Sequence, residues 1–297
     1  MTTITTPSET HPATSRILAC TDGSAYAPSV YDHAAWAAQQ LKASIHVLHL
    51  VDPHHKTTEA SDLTGAIGLG AKSALMEELV QLEATKAKLA HAKGRIILDT
   101  AREHFAQLGI HQIIADQKHG SLADSIETYD TQADLVVIGK RGENTALDRK
   151  HLGSNLERVV RTCKHPVLVA ARTFNPIQRV LIAYDAGPSV TRAIDYIISQ
   201  PLLQGTQIHL LSVGSSSPHL SDGITATKTK LETAGFSLQY ELLPGHPIEV
   251  ISQTIEKNNI DLLIMGAYGH MHIRHLLIGS TTATLLRTCT IPFLLFR

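Results

Sequence analysis

Two glycine-punctuated stretches carry the residue types that could hold a phosphorylated ligand. Leu263–Thr282 reads LIMGAYGHMHIRHLLIGSTT, and residues 137–155 read VIGKRGENTALDRKHLGSN. In each, glycines follow an apolar run and a Gly-Ser pair opens a helical pattern. Glycine lets backbone approach a ligand with no Cβ in the way and permits positive φ. A helix opening at Gly279-Ser280 would aim unpaired N–H groups and its positive dipole end at phosphate oxygens. The hydroxyls of Ser280 and Thr281 add donors. Asp185, after an earlier apolar run, would repel phosphates, so a ribose hydroxyl or a cation suits it better. The set in the second half is thus Asp185, Gly266, Gly269, Gly279, Ser280 and Thr281. The first half offers Asp22, Gly139, Gly142, Gly153, Ser154 and Asn155. A lone Gly-x-x-Gly is weak, because turns after strands often need glycine. The same set twice, each time between a strand pattern and a helix pattern, is stronger. On spacing alone, a ligand cradle and a pair of ligand-free loops in a duplicated fold stand level.

The elements that must position these residues are themselves duplicated. RILACTDGSA at Arg16–Ala25 matches RVLIAYDAGP at Arg179–Pro188, and IHVLHLV at Ile45–Val51 matches IHLLSV at Ile208–Val213, both at offset 163. HLGSNLERVVRTCKHPVLVA at His151–Ala170 matches LIGSTTATLLRTCTIPFLLF at Leu277–Phe296 at offset 126. The first half therefore carries about 37 extra residues, most of them between Asp52 and Gly109. Short apolar runs alternate with helical patterns, which predicts a parallel sheet covered on both faces. Strands are expected near 16–21, 45–51, 110–115, 134–139 and 166–171. In the second half they are expected near 179–184, 207–213, 236–242, 261–265 and 292–296. The fold class is α/β, with two doubly wound five-stranded parallel-sheet domains and a helical insertion in the first. Ligands in such sheets bind beyond the strands' carboxyl ends, where strand order reverses, so the first and fourth strands of each half should flank the crevice. The expected boundaries are a disordered tail over 1–15, one domain over 16–173 with its insertion near 53–109, and a second domain over 177–297. Within the insertion, Ala71, Leu75, Leu79, Leu82 and Leu89 form a stripe continued by Ile97, Ala101, Phe105 and Leu108, with Gly109 as a stop. Packing on the domain's own sheet or on a sister subunit is the expected use of that stripe.

Composition narrows the function classes. The chain is 43% hydrophobic and 18% charged, which supports packed cores rather than a disordered polymer. Its formal net charge of −1 gives no bulk electrostatic case for nucleic acid. No apolar run spans a bilayer, and MTTITTPSETHPATS lacks the basic start and apolar core of a secretory signal, so no membrane insertion and a cytoplasmic location are expected. Cys20, Cys163 and Cys289 are widely spaced, with no C-x-x-C pair, and read as small buried apolar residues.

The chain resembles a tandem universal stress protein over nearly everything after the tail. That family's nucleotide-binding pattern is Gly, two residues, Gly, nine residues, Gly-Ser or Gly-Thr. Gly266, Gly269 and Gly279-Ser280 fit it, whereas ten residues separate Gly142 from Gly153. The first half keeps the family-like TDGS after its first strand, while the second has YDAG. The resemblance implies a fold of the adenine nucleotide alpha hydrolase kind. It also implies roles: the Asp near ribose or adenine, an aliphatic strand-two end near the base, and the glycine loop with Gly-Ser on the phosphates. Carried across, these fall to Asp185, Val213, Met265, Gly266, Gly269, Gly279, Ser280 and Thr281. In the first half they fall to Asp22, Leu50, Ile138, Gly139, Gly142, Gly153, Ser154 and Asn155. The implied cofactor is ATP, with ADP or AMP as alternatives and Mg as an accompanying ion. The family's single-domain members pair through the last strand, so PVLVA and PFLLF are expected to make a pseudo-dimer within one chain.

Rival chemistries find less support. No Walker G-x-x-x-x-G-K-[ST] occurs, and the glycines follow the fourth strand rather than the first, as a dinucleotide fingerprint would need. His270, His272 and His275 lack the i, i+4 pairing of a helical zinc site, so solvated loop histidines are the expectation. Lys140 and Arg141, inside the first glycine loop, are either phosphate contacts or a solvated surface pair. No G-x-S-x-G elbow or other catalytic set emerges. The leading expectation is a regulatory adenine-nucleotide binder, at most a slow ATPase, serving an unidentified protein client and forming homodimers. An ATPase or phosphotransferase with real turnover, and an adaptor that binds no nucleotide, are the alternatives.

Overall fold

The computed structural model describes residues 15–51, 69–129, 133–140, 154–268 and 278–297. The first half runs β1 (Arg16–Thr21), α1 (Ala27–Leu41), β2 (Ser44–Val51), α2 (Leu69–Gln107), β3 (Ile113–His119), α3 (Leu122–Tyr129), β4 (Leu135–Gly139), α4 (Ser154–Thr162) and β5 (Val167–Ala170). The second runs β6 (Arg179–Ala183), α5 (Pro188–Ser199), β7 (Gln207–Val213), α6 (Pro218–Thr233), β8 (Ser237–Leu243), α7 (Pro247–Lys257), β9 (Leu262–Gly266), α8 (Ser280–Thr288) and β10 (Phe293–Phe296). Of the expected tail over 1–15, all but Ser15 lies outside the described residues, and Ser15 O accepts the Ser44 N–H at 2.8 Å.

Among the described residues ten strands form one sheet in the order β3-β2-β1-β4-β5-β10-β9-β6-β7-β8. Every pairing is parallel except β5 with β10, which is antiparallel with Phe293 opposite Val169. Each half is therefore doubly wound, and its order reverses between its first and fourth strands: β1 pairs with β4, and β6 with β9. The strands read as nearly unbroken apolar runs because both faces are covered. Ile17, Ala19 and Val47 join α1, α2, α5 and α6 in one core. Leu18, Cys20 and Leu48 join α3, α4, α7 and α8 in the other.

The third strand begins three residues later than the sequence pattern predicts. Gly109, at φ +77°, ends α2, and the Ile110 N–H donates to Phe105 O at 2.9 Å. The Gly109 N–H reaches Ala106 O, completing a Schellman cap in which an apolar residue follows the left-handed one. Ile110 thus belongs to the helix terminator rather than to the strand. Phe236 repeats this after Gly235, donating to Leu231 O at 3.0 Å, and β8 starts at Ser237.

The insertion is an N-terminal extension of a helix that the second half also owns. Aligned at Gly109 and Gly235, α6 begins at the position of Ala92, so residues 69–91 of α2 are the addition. At 39 residues α2 is about 58 Å long. Leu98, Ala101 and Phe105 bury into the first core, whereas Met76, Leu79, Leu82 and Leu89 are exposed. Among the described side chains the expected stripe packs on the sheet only in its last third; those of Ala71 and Leu75 lie outside them. Where α2 crosses the strand ends, a Cβ at Gly94 would run into Gln117 and stand 2.8 Å from His49. That contact accounts for a mid-helix glycine that would otherwise cost about 1 kcal/mol relative to Ala.

Three histidines taken out of water should make this fold acid-sensitive. His33 on α1 is wholly buried, its Nδ1–H donates to Ser29 O at 2.6 Å, and its Nε2 has no partner among the described residues. Its ring meets the edge of Phe174 in the linker between the halves. Burial pushes its pKa down to about 4, and burial also lowers those of His46 and His209. Such a group binds its proton less readily folded than unfolded. Its stabilising contribution is complete above the ordinary value of 6.5 and is lost as pH falls toward 4. For His33 the loss amounts to about 3 kcal/mol across that window. Thermal melts between pH 7.5 and 5 should show a falling midpoint, and His33→Leu should flatten the fall. An equally steep fall in that variant would remove His33 as a cause.

Candidate functional site

The second-half crevice is assembled from three segments at the carboxyl end of the sheet. Asp185 lies just past β6, and its Oδ1 accepts the Gly187 N–H at 2.8 Å. That bond fixes the turn leading into α5, whose N-cap is Gly187 and whose first turn holds Ser189. Beside β6 runs β9, ending at Gly266. The chain then returns so that the Gly279 N–H donates to Ala267 O at 3.0 Å, and α8 starts at Ser280 directly against the end of β9. Thr282 adds a second tie, its hydroxyl donating to Gly266 O at 3.0 Å.

These ties leave an electropositive corner. Gly279 is the N-cap of α8 and supplies no side-chain cap to the first turn, so the N–H groups of Thr281 and Thr282 lack the usual side-chain acceptor. The Ser280 side chain is exposed and that of Thr281 partly so. The Asp185 carboxylate sits at the start of the neighbouring helix, where its charge complements the α5 dipole. One rim of the crevice is therefore acidic and the other offers backbone donors, an arrangement suited to a ligand with hydroxyls at one end and an anionic group at the other.

Other expected site residues lie at or near the carboxyl ends of the neighbouring strands. Met265 and Ile138 are buried members of the second core, and Val213 and Leu50 pack partly buried against it. Gly266 does not use the left-handed region; its lack of a Cβ answers a close approach, because a Cβ there would stand 3.0 Å from the Ser189 Cβ and 3.4 Å from Tyr268 O. Thr282 and Ser189, which sequence reasoning missed, hold Gly266 from its two sides. The signal for Thr282 was the second threonine of GSTT; Ser189 left none. Gly269, Gly142 and Gly153 lie outside the described residues, as do Arg141, His270, His272 and His275. Among the described residues no group of three or more His, Cys, Asp or Glu could hold a metal ion.

In the first half Asp22 makes the equivalent turn, accepting the Ser24 N–H at 2.9 Å. α4 begins at Ser154, with Asn155 exposed. The neighbouring helix differs. Ile97 of α2 lies against Gly23, so that a Cβ there would stand 2.6 Å from its Cδ1. The second half exchanges these sizes, with Ala186 in place of Gly23 and Gly223 in place of Ile97. Gly23 and Ala186 share a left-handed backbone, at φ +72° and +59°. The long helix thus closes on the Asp22 loop more tightly than α6 closes on the Asp185 loop.

Lys140 needs a correction: it is neither a solvated surface residue nor placed to serve as a phosphate contact. It is buried, its ammonium donates to Cys289 O at 2.7 Å, and it lies 4.5 Å over the Phe293 ring. Cys289 is the C-cap of α8, so the charge meets the negative end of that helix. The side chain turns into the seam where β5 and β10 join, and so ties the first glycine loop to the second half. Tyr268, two residues past the end of β9, makes a second tie between the halves, its hydroxyl donating to Val160 O at 3.4 Å.

Comparison with known proteins agrees with the duplicated architecture. The universal stress protein family matches twice, over residues 14–171 and 176–297. The chain belongs to the universal stress protein family. It is 42% identical over 284 residues to the universal stress protein Slr1230 of Synechocystis, covering 95% of this chain and 99% of that relative. Its fold is similar to that of a universal stress protein from Archaeoglobus fulgidus, with a TM-score of 0.70 at 19% identity over 95% of this chain and 98% of the other. A putative universal stress protein from Pseudomonas aeruginosa follows at a TM-score of 0.59 and 18% identity, over 96% and 93% of the two chains. Among the described residues, no helix is long and apolar enough to cross a membrane.

Proposed function

We propose that the chain is a stress-response regulator that holds an adenine nucleotide, ATP foremost, in the crevice of its second half. The observation that carries this reading is the docking of the α8 N-terminus on β9 through the Gly279 N–H to Ala267 O bond, with no side-chain cap on the helix. The phosphates would lie on that N-terminus and the Ser280 and Thr281 hydroxyls. The ribose would face Asp185, and the base would lie toward the ends of β7 and β9 at Val213 and Met265. The spacing Gly266, Gly269, Gly279-Ser280 is that of the family's nucleotide-binding members. In the first half, Asp22, Gly139 and the start of α4 would form a weaker counterpart, and the two halves would act as a pseudo-dimer. Mg would accompany the phosphates.

Turnover is expected to be slow. The strongly shifted groups, Cys20, His33 and Tyr196, are buried by packing elsewhere. Mass spectrometry of small molecules released from protein purified without added ligand should recover an adenine nucleotide. Steady-state ATP turnover should fall far below the ~1–10³ s⁻¹ of dedicated enzymes. Protein that releases no nucleotide and loses added ATP on gel filtration would overturn the reading in favour of a structural adaptor.

A further inference from the structure

We propose that the projecting part of α2 is a self-association arm, which pairs antiparallel with the same segment of a second copy of this chain. Six of the nine exposed large apolar residues among those described lie on this one helix. Leu82, Leu89 and Ile96 repeat every seven residues, with Leu79 three residues before them, which keeps the four on about one third of the circumference. Their exposures run from 39% to 71%, far more than an apolar stripe on a solvated helix would need. The segment stands clear of the sheet. His91 meets His119, the last residue of β3, with Nε2 atoms 2.9 Å apart, and Gly94 crosses the strand ends. Residues 76–89, all exposed, therefore project beyond the sheet. The second half builds its own layer without any such extension, so the arm is not needed to complete the fold.

Charge selects the occupant. Glu77, Glu78 and Glu83 make the first part of the arm acidic, whereas Lys86, Lys88 and Arg95 make the second part basic, and all six are exposed. Two parallel arms would set acid on acid and base on base. Two antiparallel arms crossing between Thr85 and Lys86 set Leu82 of each copy against Leu89 of the other, and Glu83 alongside Lys86. Both halves of the pair are then complementary within a screening length of about 8–10 Å. A lipid surface fits less well, because interfacial helices carry a predominantly basic polar face.

Sedimentation equilibrium on the full chain over 1–100 μM (about the range where such pairs form) reads the association directly. Wild type should reach twice the monomer mass. Leu82→Glu with Leu89→Glu should sediment as monomer while its melting midpoint and near-UV dichroism stay unchanged. Reversing the three glutamates to lysine should give monomer, as should reversing the three basic residues to glutamate. Mixing those two variants should restore the dimer. A wild type that stays monomeric, a dimer unaffected by the Leu82/Leu89 change, or a mixture that fails to associate would overturn the proposal. A monomeric wild type that co-sediments with phosphatidylserine-containing vesicles, and loses this with Leu82→Glu and Leu89→Glu, would assign the arm to membranes instead.

Discussion

Gly279→Val is expected to weaken ATP binding by about a hundredfold, or ~2.7 kcal/mol, while the protein remains folded. The backbone of Gly279, at φ −53° and ψ 140°, is one that valine adopts without strain. The loss would come from what the branched side chain covers. As N-cap of α8 it stands over the N–H groups of Ser280 and Thr281, where the proposed phosphate lies, and it displaces the ligand without removing the Gly279 N–H bond to Ala267 O. A small stability cost of about 1 kcal/mol accompanies the change, since valine is a poorer N-cap than glycine. The matching change at Gly153 should cost less binding. Ten residues rather than nine separate Gly142 from Gly153, and Ile97 narrows the approach at Gly23 in that half. Calorimetric titration of ATP into both variants decides the order. A larger loss at Gly153 would overturn the assignment of the principal site to the second half.

The architecture was legible because duplication printed each signal twice. Buried parallel strands leave apolar runs that need no tertiary information, and the repeated glycine punctuation marked the carboxyl ends of β4 and β9. Strand starts were less legible where a Schellman cap borrowed an apolar residue, as Ile110 and Phe236 show. Local pattern cannot tell a hydrophobic cap from the first residue of a strand. The site was legible in residue type and less so in role. Lys140, inside the first glycine loop, read as either a phosphate contact or a solvated surface residue. Its burial is set by the β5–β10 seam, a contact 149 residues distant in sequence. Ser189 and Thr282 left little trace, since a hydroxyl at a helix start has many uses and only the packed geometry selects one. The length of α2 was apparent from its pattern, but how far it leaves the sheet depends on where β2 and β3 stop.

Gly266 offers the test that separates packing from ligand approach. Gly266→Val alone should cost about 1–3 kcal/mol of stability, the usual toll of overpacking, because its Cβ would stand 3.0 Å from the Ser189 Cβ. That single change confounds the two roles, since a displaced α5 would also move Asp185 through the Gly187 bond. Ser189→Gly removes the obstructing atom at its source. Ser189 is the second residue of α5, and among the described residues its hydroxyl makes only a marginal contact with Arg192, at 3.5 Å. In a Ser189→Gly background, Gly266→Ala should therefore be tolerated, with a melting midpoint within a few degrees of the background's. If a ribose or phosphate passes against the Gly266 backbone, ATP affinity should still fall about tenfold or more in the double variant, ~1.4 kcal/mol. If the glycine serves only the approach of α5, affinity should match that of Ser189→Gly alone. Equal affinity in a folded double variant would remove Gly266 from the nucleotide site, leaving the α8 N-terminus and Asp185 to define it.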